Sequence, residues 1–150
     1  MSSMSPSELN SFPQPDSNES DSVEAALFAL RNAHDGSSAS EAYDSFLWAI
    51  GNNHAGTFYP VVLGVLPEIE QILVSGSPWA QRSAMECLID LGGSFVPEEG
   101  YEMYRGVSVQ ESLNAFIHSM RCHVTPLVVG NDVQAQSAID LLELIDDQVK

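Results

Sequence analysis

Apolar side chains recur at three- and four-residue steps in six segments of this chain, and each segment is bounded by residues that start or stop helices. A stripe at that period is buried only by packing against other elements, so the pattern predicts helices stacked on helices. The first segment runs from about Ser22 to Ala33, with Val23, Ala26, Leu27 and Leu30 on one face and Asp21 or Ser22 placed to cap it. The second opens with Ser38-Ala39-Ser40-Glu41 at capping-box spacing, carries Tyr43, Phe46, Leu47 and Ile50, and stops at Gly51, read as a left-handed C-terminal residue. The third, about Pro60 to Val74, places Val62, Leu66, Ile69 and Leu73 together, with a kink or restart expected at Pro67.

Ser77-Pro78 opens the fourth, a capping residue followed by proline in the first helical position. Its stripe is Trp79, Ala80, Ser83, Ala84, Cys87, Leu88 and Leu91, and its expected solvent face is Gln81, Arg82, Glu86 and Asp90. The fifth opens with Ser108-Val109-Gln110-Glu111, another capping box, and runs through Leu113, Phe116, Ile117 and Met120 to about Val124, and the sixth runs from Asp132 to about Asp147 with Ala138, Leu141, Leu142 and Ile145 inward. Trp48 and Trp79 both fall in helical segments and are expected in the core or at a helix junction, with an interface anchor as the alternative for either. No run alternates with period two, so no sheet is expected, and short connections favour antiparallel neighbours. The expected fold is an all-α antiparallel stack of about six helices over residues 22–150. It is preceded by a flexible tail from Met1 to Asp21, whose only large apolar side chains are Leu9 and Phe12.

Two of these helices match internally: SAMECL at Ser83 to Leu88 and SAIDLL at Ser137 to Leu142. The spacing between them exceeds the ~40–47 residues of HEAT and armadillo units, and the long Ser94 to Gly106 loop accounts for the excess.

Charge limits the partners. With 21 acidic and 5 basic residues the formal net charge is −16, which repels phosphate backbones and anionic lipid. Neither nucleic acid nor membrane is an expected ligand, whereas a cationic protein surface is steered in by the same field. A DNA mimic is the alternative use of such a surface, and it requires the carboxylates to form one continuous stripe. The two cysteines, Cys87 and Cys122, sit inside helical patterns and suggest no disulfide framework, and Met1 to Phe12 lacks a signal-peptide pattern. A cytoplasmic protein is expected.

No catalytic motif stands out, and no catalytic residue, metal or cofactor is assigned. His54, in the string Asn52 to Pro60 with Thr57 and Tyr59, is either a turn residue or a contact or base. His118 and Cys122 lie four apart on one helical face, but a structural zinc site needs four ligands and none of the others has recognisable spacing. Carboxylate pairs such as Glu68/Glu70 and Asp146/Asp147 follow from the number of acids, and a small helical hydrolase ranks last. The best candidates for partner binding are Glu98, Glu99, Tyr101, Glu102 and Tyr104, where acidic charge meets aromatic side chains, together with Glu86 and Asp90.

The stretch from Ala42 to Tyr101, above all AIGNNHAGTFYPVVLGVLP at Ala49 to Pro67 and SPWAQRSAMECLIDLGGSF at Ser77 to Phe95, resembles small bacterial HEAT-like proteins. The resemblance implies an α-solenoid fragment used as a binding scaffold, and it brings no catalytic residues with it. In size and charge the chain is similar to immunity proteins, which stay in the cytoplasm and block a secreted antibacterial toxin. The partner so implied is a basic toxin.

Overall fold

The computed structural model describes residues 4–149. Helix takes 66% of the described residues and strand 7%, so the all-α class holds, with small strands that the periodicity did not announce. The helices are α1 (Pro6–Leu9), α2 (Ser22–Arg31), α3 (Gly36–Ile50), α4 (Val61–Ser75), α5 (Pro78–Gly93), α6 (Val109–Ser119), α7 (Arg121–Val124) and α8 (Asp132–Val149), with a 3-10 turn at Thr125–Val128. The two-residue strands are β1 (Gly51–Asn52), β2 (Thr57–Phe58), β3 (Val96–Pro97), β4 (Met103–Tyr104) and β5 (Val107–Ser108). β1 pairs antiparallel with β2, β2 pairs parallel with β3, and β4 and β5 form a separate hairpin. Each is too short to show an alternating pattern in the sequence.

Ser77 and Ser108 cap α5 and α6 as their positions predict, accepting from the N–H of Ala80 at 3.2 Å and of Glu111 at 3.1 Å. α3 starts earlier than expected. Asp35 is its cap, accepting from Ser38 N–H at 2.7 Å, while the Ser38 hydroxyl accepts from Asp35 N–H at 3.1 Å. Ser38 is thus the responding member of the box and not its opener. Gly51 is not left-handed but extended, at φ −173°, and it is required for another reason: a Cβ there would lie 1.9 Å from the Thr57 carbonyl oxygen. α4 runs through Pro67 as one helix without the expected restart, held by Leu66 and Ile69 in the core on either side. α6 ends at Ser119 with Met120 as its cap, so the fifth segment is a helix, a short helix and a 3-10 turn.

The helices gather around α5, which packs against α2, α3, α4, α6 and α8. Ala80, Ala84, Met85, Cys87 and Leu88 are wholly buried along it. Surrounded in this way, α5 has little true solvent face, which corrects the expectation for Gln81. Gln81 is 7% exposed, donates to the Leu73 carbonyl at 3.0 Å and accepts from Gln134 at 3.0 Å, so its burial is matched by hydrogen bonds. Burial also pushes the Cys87 thiol pKa well up, making it an inert core group. Trp48, expected inside, lies half in solvent on α3, while Trp79 is half-buried beside Gly36.

Residues 4–21 differ most from expectation, since the described part of the tail is packed and partly helical. Ser5 and Glu8 cap α1 reciprocally, and Leu9 is 4% exposed. The two large apolar residues of this segment dock on Gly64 of α4, where an added Cβ would lie 2.8 Å from the Phe12 ring and 3.2 Å from Leu9 Cδ2. The Pro13 carbonyl accepts from Val61 N–H at 3.1 Å, and the Asn18 side chain donates to the Ala49 carbonyl at 2.8 Å. Polar composition concealed two anchors at the spacing needed to reach a glycine gap. Below this segment Arg31 and Glu68 form an ion pair between α2 and α4. No described helix is long and apolar enough to cross a membrane.

Candidate functional site

The sequence candidates separate into two places. Glu86 and Asp90 lie on α5, one turn apart on the side that faces α3 and α8. Two adjoining hollows of about 350 and 370 Å³ run along this side and share Tyr43, Arg82 and Glu86. The first is walled by Glu86, Asp90, Asp132 and Asp140, with Arg82 as its one cation, and the second adds Asp44. Together they form an acidic groove built by three helices.

Several of these side chains are fixed. The Tyr43 hydroxyl donates to Asp90, so α3 and α5 are joined across the groove floor. Burial, reinforced by that hydrogen bond and the Asp90 charge, raises the Tyr43 phenol well above its ordinary value and keeps it a donor. Arg82 donates to Glu86 at 2.9 Å and stacks over the Trp79 ring at 5.3 Å. Gln136 donates to Asp140 at 2.9 Å. Four carboxylates thus face one guanidinium in the first hollow, and that cation is already committed to Glu86.

Sequence reasoning missed Asp132 and Asp140, although the internal match contained the signal. Its alignment sets Ser83 against Ser137 and Glu86 against Asp140, and all four line the groove from α5 and α8. A serine followed three residues later by an acid places both on one helix face, so two packed helices bearing the pair present carboxylates to the same gap. Tyr43 was read as part of an apolar stripe, and its hydroxyl is the part that matters here.

The second place joins the other two candidate groups. His54 is exposed in the turn of the β1–β2 hairpin, and Tyr59 just after it meets Tyr101 with ring centroids 5.0 Å apart. Glu98 N–H donates to the Phe58 carbonyl at 2.8 Å, continuing the parallel β2–β3 pairing. Partial burial and the carboxylates of Glu98 and Asp16 raise the Tyr59 pKa. Tyr104 packs on Phe12 at 5.0 Å, and Arg105 covers its ring at 5.2 Å. Arg105 and Gly106 both have positive φ, 50° and 82°, as the tight two-residue β4–β5 turn requires. Glu99 and Glu102 are exposed, and Glu102 accepts from Gly100 N–H at 3.0 Å. The Thr57 hydroxyl is buried without a hydrogen-bond partner among the described residues. Here the tyrosines pin a loop while the acids face water, and none of these residues lines the groove.

His118 and Cys122 are not brought together on one helix, because α6 ends between them; His118 meets Gln148 at 2.8 Å and Cys122 is exposed. No family model, curated protein or solved structure matches the chain.

Proposed function

We propose that this protein is a non-catalytic binding module, and specifically an immunity protein that neutralises a cognate basic antibacterial toxin by binding and occluding it in the cytoplasm. The observation that carries this reading is the α3–α5–α8 groove, where four carboxylates face a single paired guanidinium on a chain of net charge −16. Such a surface steers a cationic protein within about one Debye length, which is longest at low salt, and held side chains lose less entropy on binding than mobile ones. The HEAT-like reading of the stack belongs to the same proposal. Consecutive helices α2 with α3, and α4 with α5, pack on each other as helix pairs of repeat scaffolds do.

The test is co-expression with the product of any neighbouring reading frame that encodes a secreted, basic protein. A salt-sensitive complex that protects cells from that product is the expected result. Absence of a complex at low ionic strength, or protection that survives neutralising both the groove and the Glu98 to Tyr104 loop, would sink the proposal.

A further inference from the structure

We infer that a trough between α2 and α3, walled by Trp48, receives a basic amphipathic helix of the protein partner; this rests on the binding-module reading above and names the part of the partner that docks. The trough holds about 400 Å³ and follows α2 for about two turns, past Ser22, Ala25, Ala26 and Ala29, with Ser45 and Trp48 on α3. Each alanine contributes only a methyl, so α2 leaves room beside the indole. Asn18 of the N-terminal segment also lines the trough and is tied to the Ala49 carbonyl at 2.8 Å. Every lining residue is uncharged.

Trp48 differs from the other exposed rings. Among the described residues three aromatics are exposed, and Trp48 is 48% so. Phe28 has Arg31 over its ring at 5.9 Å, and Tyr101 meets Tyr59 at 5.0 Å. Two further rings carry arginines of this chain, Trp79 under Arg82 at 5.3 Å and Tyr104 under Arg105 at 5.2 Å. Arg121 is held by Asp146 at 2.6 Å. Trp48 alone of the exposed three has neither ring nor cation against it among the described residues, although indole is the ring that attracts a cation most strongly.

Charge selects the occupant. Asp16, Glu19, Asp21, Glu24 and Asp44 are all exposed, and each adjoins a lining residue in the sequence. Neither stretch that builds the trough, 16–29 or 40–49, holds a lysine or arginine. An uncharged trough bordered by acids fits a helix that turns one apolar side chain per turn toward the alanines and carries arginines on its flanks, one of them over the indole. A second copy of this chain and an anionic bilayer are both repelled by the net charge of −16.

The test titrates the full chain with a synthetic amphipathic helical peptide of leucine and arginine while the two tryptophan indole N–H resonances are followed by NMR. The Trp48 resonance should move to saturation and the Trp79 resonance should stay. A peptide with serine in place of each leucine keeps the charge and should bind at least about tenfold more weakly. By calorimetry, Trp48→Leu should weaken the leucine peptide about fivefold and Ala25→Gln, an exposed position that keeps helix propensity, by a similar factor. Thermal melts establish that both variants are folded, and Ala25→Gln decides if Trp48→Leu is not. A still Trp48 resonance, or equal binding of the leucine and serine peptides, overturns the inference. So does a Trp48 resonance that shifts with protein concentration alone, which would give the trough to a second copy. The two proposals fail separately. If the peptide behaves as described and no basic protein partner binds, the toxin reading falls and the trough stands. If a partner binds and leaves the Trp48 resonance unmoved, the trough falls and the module stands.

Discussion

Carboxylates at two places on this molecule, the α3–α5–α8 groove and the loop between β3 and β4, are held in opposite ways. In the groove Glu86 and Asp90 are half-buried, each bonded to a neighbouring side chain, and three helices fix their spacing. On the loop Glu99 and Glu102 project into water, and order comes from Tyr59 against Tyr101 and Phe12 against Tyr104. Both regions read alike as acids mixed with aromatics. What separates them is whether the aromatic residue orients the acid or anchors the backbone, and only the first gives a charge pattern with a fixed shape.

The largest expected effect sets the two regions against each other directly. With a cationic protein partner at low salt, E86Q with D90N and D140N should lower affinity by about two orders of magnitude, and E98Q with E99Q and E102Q by about threefold or less. Surface plasmon resonance across a salt series measures it, and comparable losses from the two sets would erase the distinction. A second test disturbs the loop side alone. Gly51→Val drives a side chain into the Thr57 carbonyl and should destabilise the fold by about 2 kcal/mol in urea unfolding, while groove binding by the surviving folded fraction is kept.

Tyr43→Phe removes the hydroxyl that holds Asp90 and should cost about 1 kcal/mol. In an absorbance titration Tyr43 should ionise well above the ordinary tyrosine range. Because its pKa is raised on folding, the associated stability is complete below the ordinary value of 10.0 and is lost as pH rises through the higher folded one. Smallest is the Asp35 cap, whose carboxyl is held below its ordinary value by hydrogen bonds from Ser38. A lowered pKa contributes stability above the ordinary value of 3.8 and loses it as pH falls through the folded one. Asp35→Asn should remove that acid dependence with little change in melting temperature at neutral pH.

Much of this was legible in the sequence for a plain reason. Val23, Leu27 and Leu30, or Leu66, Ile69 and Leu73, are buried because local periodicity already states which face is apolar. Ser77 and Ser108 act within one turn of their position, so their roles could be read as well. Gln81 could not be placed, since its burial depends on five helices converging on α5, which no local pattern encodes. Trp48 shows the reverse, a large apolar residue on a helix face that its neighbours leave half exposed. The groove was half visible: Glu86 and Asp90 stood out as a face of α5, but Asp132, Asp140 and Ser137 become part of it only when α8 docks.

The docked N-terminal segment also bears on the order of assembly. Leu9, Phe12 and Asn18 leave the ribosome well before the Ala49 carbonyl, Gly64 and Tyr104 that receive them. Until those later stretches emerge, two greasy anchors have nowhere to go, so this clasp closes after the helices beneath it are in place. Residues made before the helices are among the last to settle.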